Sequence, residues 1–235
     1  MVLSQPPMPN LFTNPPRLPL IAPSILSADF MHMGDDCRHV LQAGADLLHL
    51  DVMDGHFVPN LTMGPDLCRG LRKELPEAFL DVHLMVTEPD LFVDPFLKAG
   101  ANHITFHVEV VGAGQARELV RRIHGGGATA GLAINPPTPV QTVGELAKEF
   151  DLLLVMSVNP GFSGQKFMAE VLDKTRRIRK DLRPDQRLEM DGGIGTGNIS
   201  SVVDAGCDVI VAATAIFGIA QPERGKVIGA LRQAR

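Results

Sequence analysis

The stretch from His49 to Asn60 combines a strand pattern with residues that can bind a metal ion. Apolar residues alternate with His49 and Asp51 and predict a strand, which ends before the turn-forming Gly55. Because positions two apart share one face of a strand, the imidazole and the carboxylate should point the same way. Such a pair can form half of a metal site. An isolated pair is also typical of a buried ion pair, so its interpretation depends on the rest of the chain.

Similar apolar runs recur along the chain and alternate with helical patterns. Strands are predicted at eight of them: Leu20–Ser24, Leu47–Val52, Phe79–Met85, His103–His107, Thr129–Ile134, Leu152–Met156, Leu188–Asp191 and Val209–Ala212. Helices are predicted between and after them, at Phe30–Ala43, Pro65–Leu75, Pro89–Ala99, Gly114–His124, Val140–Glu149, Ala169–Asp181, Asn198–Ala205 and Pro222–Arg235. Nearly all-apolar strands that alternate with helices are typical of a parallel sheet covered on both faces.

A short turn motif recurs where helices end and strands begin, at Ala43–Asp46, Ala99–Asn102 and Ala205–Asp208. Its glycine suits the left-handed end of a helix. Regular turns and eight β-α units favour the α/β class, with one (β/α)8 TIM barrel domain over residues 20–235. A doubly wound sheet is the alternative. It would need GxGxxG after the first strand, and the chain has APSILSADF there.

Polar residues end all of these apolar strands. Active sites of such barrels lie at the carboxyl ends of the strands. Those ends carry Ser24, His49 with Asp51, His83, His107 with Glu109, Asn135, Ser157 with Asn159, Asp191, and Thr214. His107 and Glu109 are interpreted as supporting or structural residues. The remaining histidines are expected on loops or helices and are given no role: His32, His39, His56, His103 and His124.

Four of the strand-end residues form a candidate metal site, namely His49, Asp51, His83 and Asp191. Two imidazoles and two carboxylates suit a borderline divalent cation. We expect one such ion per subunit, with zinc as the first expectation and Fe(II), Mn or Co as alternatives. The absence of a cysteine ligand and the presence of carboxylates predict a catalytic rather than a structural site.

Three glycine-bearing loops follow the last three strands, at Asn159–Gln165, Asp191–Gly195 and Ala212–Gly218. Each alone could be an ordinary turn. Together they predict a phosphate site built from backbone N–H groups, in the part of a barrel where such sites occur. No Walker-type lysine accompanies them, which argues against a nucleoside triphosphate. Three methionines at strand ends are either core residues or an apolar lining of the same pocket: Met53, Met85 and Met156.

Composition excludes several classes of function. The 235 residues are 45% hydrophobic and carry a net charge of -5 without a basic run, which argues against nucleic acid as a partner. No apolar run approaches the length of a membrane span. The three cysteines lie far apart, which suits a reducing, cytoplasmic location. The proline-rich residues 1–19 predict a disordered or loosely docked extension without a secretory or transit signal.

The longer motifs resemble those of the ribulose-phosphate 3-epimerase family, in the same order and spacing: APSILSADF, HLDVMDGHFVPNLTMGP, DVHLMV, SVNPGFSGQKF, MDGGI and AIF. The resemblance runs from about Leu20 to the C-terminus. It implies a metal-dependent barrel that interconverts D-ribulose 5-phosphate and D-xylulose 5-phosphate in the pentose phosphate pathway. The implied reaction moves a proton at C3 through an enediolate. A homo-oligomer is expected.

The resemblance also implies roles for individual residues. Asp51 and Asp191 match the two acid/base groups, which also bind the metal with His49 and His83. Ser24 and His83 match substrate contacts. The phosphate-binding stretches correspond to Gly161, Phe162, Ser163, Gly164, Gly192, Gly193, Ala213 and Thr214. The family usually has Gly at the place of Ser163 and Gly-Ser at the place of Ala213-Thr214. These departures bear on phosphate affinity and leave the acid/base residues intact.

Three other functions share part of this pattern. A 3-epimerase for another ketose phosphate, such as allulose 6-phosphate, would need the same residues. A decarboxylase of the related barrels would pair a lysine with aspartates, and no such lysine follows Asp51. A non-catalytic phosphate-binding barrel would be favoured by loss of a metal ligand or an aspartate, and none is lost.

Overall fold

Eight parallel strands form a closed barrel in the computed structural model, which describes residues 10–233. The strands are β1 (Leu20–Pro23), β2 (Leu48–Met53), β3 (Leu80–Met85), β4 (His103–His107), β5 (Thr129–Ile134), β6 (Leu152–Met156), β7 (Arg187–Asp191) and β8 (Val209–Ala212). Neighbouring strands pair in sequence from β2 to β8, and β8 pairs with β1. A parallel bridge between Ser24 and His49 joins β1 to β2. The predicted TIM barrel is confirmed.

The helices cover the outside of the barrel. They are α1 (Met33–Gln42), α2 (Pro65–Glu74), α3 (Val93–Ala99), α4 (Ala113–Gly125), α5 (Val171–Asp181), α6 (Ile199–Asp204), α7 (Thr214–Phe217) and α8 (Gln221–Gln233). Within the described residues, no helix is long and apolar enough to cross a membrane. The predicted helix at Val140–Glu149 is wrong in type. Two 3-10 segments form there, and they meet at Gly144, whose φ of +34° interrupts an α-helix.

Each strand divides its side chains between two regions. One apolar core fills the space between strands and helices, and includes Leu153 and Val155 of β6. The alternating residues of that strand, such as Leu154, enter the barrel interior. This interior is apolar along β1, β6 and β8. It is polar along β2, β3, β4 and β7, where buried ionisable side chains replace hydrocarbon.

The recurring turn motif has a structural reason. Its glycines, Gly44, Gly100 and Gly206, have φ of +108°, +97° and +98°, as expected for a left-handed helix end. The polar residue two positions later accepts a hydrogen bond from a backbone N–H at the start of the preceding strand. These contacts join Asp46 to Ile21 at 2.8 Å, Asn102 to Leu80 at 2.8 Å and Asp208 to Leu188 at 3.2 Å. The motif therefore stabilises the amino-terminal end of the barrel.

The segment before β1 closes that same end. Phe12 is fully buried, with its ring centroid 4.9 Å from Phe79 and 4.6 Å from His103. Arg187 Nε donates a hydrogen bond of 2.8 Å to the Phe12 carbonyl. The expectation of a disordered or loosely docked extension is therefore wrong for residues 10–19, because one aromatic side chain anchors them in the barrel. Residues 1–9 lie outside the described part of the chain.

This contact predicts a stability effect far from the cavity. Phe12→Ala should lower the free energy of unfolding by about 3–5 kcal/mol, since it empties a buried aromatic site. Phe30→Ala is a matched control, because Phe30 is 52% exposed, and it should change stability by less than about 0.5 kcal/mol. Urea unfolding of both variants measures the difference. Equal stability of the two variants would show that the Phe12 contact contributes nothing.

Candidate active site

A cavity opens at the carboxyl ends of the strands. It brings together thirteen residues that were predicted to contact substrate: Ser24, Met53, Met85, Met156, Gly161, Phe162, Ser163, Gly164, Asp191, Gly192, Gly193, Ala213 and Thr214. Asp51 also lines it, whereas His83 is fully buried beneath. Pro160, Gln165 and Ile194 of the predicted phosphate loops line it as well, and sequence reasoning missed three apolar wall residues: Leu26, Val158 and Val211. Most of these adjoin the predicted residues along the chain.

The four predicted metal-binding side chains converge below this cavity. One ligand atom from each of His49, Asp51, His83 and Asp191 lies within 4.8 Å of the others. Asp51 Oδ1 is 3.3 Å from His49 Nε2 and 3.2 Å from His83 Nδ1. Asp191 Oδ2 is 3.9 Å from the same nitrogen of His83. Adjacent parallel strands produce this arrangement, because Asp51 of β2 is in register with His83 of β3.

Two hydroxyl groups fix the carboxyl ends of β2 and β7. Ser24 Oγ, which is buried, donates a hydrogen bond of 2.5 Å to Asp51 Oδ2. Ser157 Oγ lies 3.0 Å from the Asp191 carbonyl and 2.7 Å from the Gly192 carbonyl, and so holds the turn that follows β7. The Asp51 carboxylate and the Asp191 backbone therefore have defined positions before any ligand enters.

The two aspartates differ in their electrostatic surroundings. Burial would raise the pKa of Asp51, but the His49 and His83 rings outweigh it and bring that pKa far below its usual value. Burial and the nearby Asp51 carboxylate together raise the pKa of Asp191 to about 7. The protein alone thus holds one carboxylate and one group poised to carry a proton near neutral pH, a division typical of acid/base pairs.

A second layer of ionisable groups lies beneath the cluster. Asp81 Oδ2 is 2.7 Å from His49 Nδ1, and Glu189 Oε1 is 3.5 Å from it. Burial and the Asp81 carboxylate raise the pKa of Glu189 to about 8. Sequence reasoning missed both acids. The available signal was the alternation of side chains along a strand, in which residues two positions apart share one face. Asp81 lies two positions before His83, and Glu189 lies two positions before Asp191, so both acids face the barrel interior.

The histidines of β4 both enter the barrel interior. His107 contacts His83 and Glu109, as a supporting residue would. His103 was expected on a loop or helix, and this is wrong. It begins β4 and is fully buried, with hydrogen bonds to the hydroxyl groups of Thr129 and Thr105.

The donor set fits a divalent cation. Two imidazoles and two carboxylates face one point, and His49 Nε2 is buried without a hydrogen bond to any other described residue. Burial would lower the pKa of His49, but Asp81 and Asp51 outweigh it and raise that pKa well above its usual value. The site therefore attracts positive charge at His49. A metal ion placed between the four side chains would meet that demand.

Backbone geometry shapes the glycine-bearing loops. Gly193 has φ of +61°, and a Cβ there would lie 2.6 Å from the Gln165 carbonyl oxygen and from the Phe167 nitrogen. The loops after β6 and β7 therefore approach each other too closely for any side chain. Gln165 Nε2 further ties its own loop, with hydrogen bonds to the carbonyl groups of Asn159 and Phe162.

Comparisons with known proteins agree on one family. The model of the Ribulose-phosphate 3 epimerase family matches residues 20–217. A ribulose-phosphate 3-epimerase from Serratia marcescens is 48% identical over 210 residues, which are 88% of this chain and 98% of the relative. The cytoplasmic isoform from Oryza sativa subsp. japonica is 46% identical over 217 residues, 91% of this chain and 93% of the relative.

Solved structures with lower identity share only the fold. The 3-hexulose-6-phosphate synthase from Salmonella typhimurium has a TM-score of 0.67 at 17% identity, covering 92% of this chain and 100% of that one. Thiamine phosphate pyrophosphorylase from Pyrococcus furiosus has a TM-score of 0.64 at 19% identity, covering 96% and 97%. The family match and the 46–48% identities show that this chain belongs to the ribulose-phosphate 3-epimerase family of isomerases.

Proposed function

We propose that the protein interconverts D-ribulose 5-phosphate and D-xylulose 5-phosphate by two-base proton transfer at C3. The observation that carries this proposal is that the Asp51 and Asp191 carboxyl groups face one cavity. Epimerisation of a carbon beside a ketone needs a proton removed from one face and returned to the other. Carboxyl groups on two different strands, β2 and β7, suit that requirement.

Each side chain of the site has its own role in the proposed reaction. The ionised aspartate accepts the C3 proton, and the protonated one supplies a proton to the opposite face, which inverts the centre. The enediolate between these steps carries negative charge in a buried site. A divalent cation held by His49, Asp51, His83 and Asp191 would supply Lewis-acid stabilisation of that charge. Ser24 orients Asp51 through its hydrogen bond, so that the carboxylate meets C3 in a fixed geometry.

Zinc is the first expectation for this site, because imidazole nitrogens and carboxylate oxygens are among its usual ligands. Fe(II), Mn or Co could bind the same donors. Of these four residues, Asp51 and Asp191 face the cavity, and the two imidazoles lie beneath it. Two of the residues that would hold the ion are thus also within reach of a substrate in the cavity.

The phosphate group would bind at the loops after β6, β7 and β8. Gly164, Gly193 and Thr214 line that side of the cavity. Backbone N–H groups of such turns suit a dianion. Met53, Met85 and Met156 supply an apolar wall that would limit water around the enediolate.

The decisive experiment is proton NMR of D-ribulose 5-phosphate in heavy water with the purified protein. Deuterium should enter at C3 alone while xylulose 5-phosphate appears, because each base exchanges its proton with solvent. Allulose 6-phosphate, offered in parallel, should turn over with a lower kcat/KM. Faster turnover of the hexose phosphate would assign the protein to that substrate instead.

Treatment with a chelator should stop the exchange, and a divalent ion should restore it. Full activity in metal-free protein would refute the metal assignment.

The two aspartates are separated by Asp51→Asn and Asp191→Asn. Each change should lower kcat for epimerisation by at least about 10²-fold, because a positioned carboxylate is lost. C3 exchange should partly survive for one epimer in each variant, and for opposite epimers in the two. Bound metal is quantified in both. A variant that keeps its metal and epimerises at a near wild-type rate would contradict the two-base mechanism.

The phosphate loops are tested with Gly193→Ala. The added Cβ must displace the neighbouring backbone, so KM for ribulose 5-phosphate should rise about tenfold or more, as expected for loss of one hydrogen bond to a charged group. Gly197→Ala is the matched control, because a Cβ there meets no atom within 4 Å. Steady-state kinetics with both variants decide. A KM that stays unchanged in Gly193→Ala would mean that this loop does not hold phosphate.

A further inference from the structure

His83 presents its two ring nitrogens to different partners. Nδ1 faces the carboxylates, 3.2 Å from Asp51 Oδ1 and 3.9 Å from Asp191 Oδ2. Nε2 points away from them, toward β4, and lies 2.9 Å from His107 Nε2. Both rings are fully buried, and their planes are 24° apart. The nitrogen of His83 that would hold the metal is therefore Nδ1.

The proton positions along this contact follow from hydrogen bonding. Two ring nitrogens 2.9 Å apart need one proton between them. If Nδ1 of His83 binds a cation, Nε2 carries the proton and donates it to His107 Nε2. Neutral His107 then carries its own proton on Nδ1, which lies 3.0 Å from Glu109 Oε2. A carboxylate can only accept at that place. In the line of hydrogen bonds from His83 through His107 to Glu109, each contact therefore has one donor and one acceptor.

The outer end of the line is anchored. Glu109 Oε1 accepts a hydrogen bond of 2.8 Å from the Asn135 backbone N–H. Burial would raise the pKa of Glu109, but the hydrogen bond from His107 and its other partners outweigh burial and lower it to about 2. Phe57 packs against His107, with ring centroids 4.7 Å apart. The imidazole of His107 is thus held on three sides.

We propose that His107 and Glu109 are positioning residues of the metal site, which hold His83 in the one tautomer and ring orientation that presents Nδ1 to the ion. The inference rests on the metal centre proposed above. Partners that accept the second N–H of a ligating histidine fix its orientation and raise its basicity, and their loss typically weakens metal binding by about 10- to 100-fold. Here the accepting group is a second imidazole, and the carboxylate stands one step further out.

The chain contains a matched control on the same strand. His103 lies four residues before His107, on the same inward face of β4, and is equally buried. Its nitrogens contact Thr129 Oγ1 at 2.8 Å and Thr105 Oγ1 at 2.9 Å. It makes no hydrogen bond to a proposed ligand in residues 10–233. Replacement of either ring by phenyl removes two buried hydrogen bonds, but only one replacement touches the line from His83.

The test measures Co(II) and Zn(II) affinity by competition with a chelating dye, and the visible absorption spectrum of the Co(II) form. His107→Phe should weaken affinity about 10- to 100-fold and alter the Co(II) spectrum. His107→Gln, whose amide oxygen can still accept from His83, should recover part of the loss. Glu109→Gln should show a smaller loss. His103→Phe should keep wild-type affinity and spectrum while it lowers the melting temperature as much as His107→Phe does.

Wild-type affinity and spectrum in His107→Phe would overturn the inference, and so would an equal loss of affinity in His103→Phe. If His107→Phe does not fold, Glu109→Gln decides, since its side chain reaches the surface. An unchanged affinity and Co(II) spectrum in that variant would overturn the inference as well. A wild-type protein that binds neither ion would instead refute the metal centre itself, and this inference with it. The two failures are therefore distinguishable.

Discussion

Ionisable side chains buried inside the barrel need partners, and those partners determine much of the remaining structure. Asp51 illustrates the requirement. A carboxylate at 2% exposure is costly unless charge and hydrogen bonds compensate it. His49 of the same strand, His83 of β3 and Ser24 at the end of β1 supply them. The ionisable residues of the interior therefore cluster on β2, β3, β4 and β7, whereas β1, β6 and β8 fill it with hydrocarbon.

The proposed metal centre and phosphate site share one short segment. Asp191 belongs to the cluster of possible metal ligands, and Gly192 and Gly193 follow it directly in the turn. Ser157 bonds to the carbonyl groups of Asp191 and Gly192 and so holds both parts together. A ketose phosphate would be bound at both ends by groups whose separation the backbone fixes. Barrels of 17–19% identity share the fold, so function depends on these side chains rather than on the architecture.

The strands and the cavity were predictable because their signals are local. β4 and β5 begin and end at the predicted residues, and each begins just after a glycine-bearing turn. The anchoring of Phe12 could not be predicted. It depends on Phe79 and His103, which are distant in sequence, and the proline-rich segment has no periodicity of its own.

Two other errors had a signal that was available. Asp81 and Glu189 occupy inward positions in the middle of strands, where acids are rare. A search limited to the ends of strands does not find them. His103 starts a correctly predicted strand, yet it was assigned to a loop or helix. In both cases the alternation along the strand indicates the barrel interior. The strand-end rule identifies residues that meet substrate, and the period of two is needed to find those that support them.

The bridge between Ser24 and His49 has a consequence for how this sequence can vary. Every other neighbouring pair of strands is joined by a hydrogen-bonded ladder, whereas β1 and β2 meet through this bridge. The same Ser24 donates its hydroxyl proton to Asp51. Closure of the barrel and orientation of a proposed base thus meet at one residue, the first through its backbone and the second through its hydroxyl group. A substitution at position 24 therefore changes the orientation of Asp51 without breaking the backbone bridge that closes the barrel.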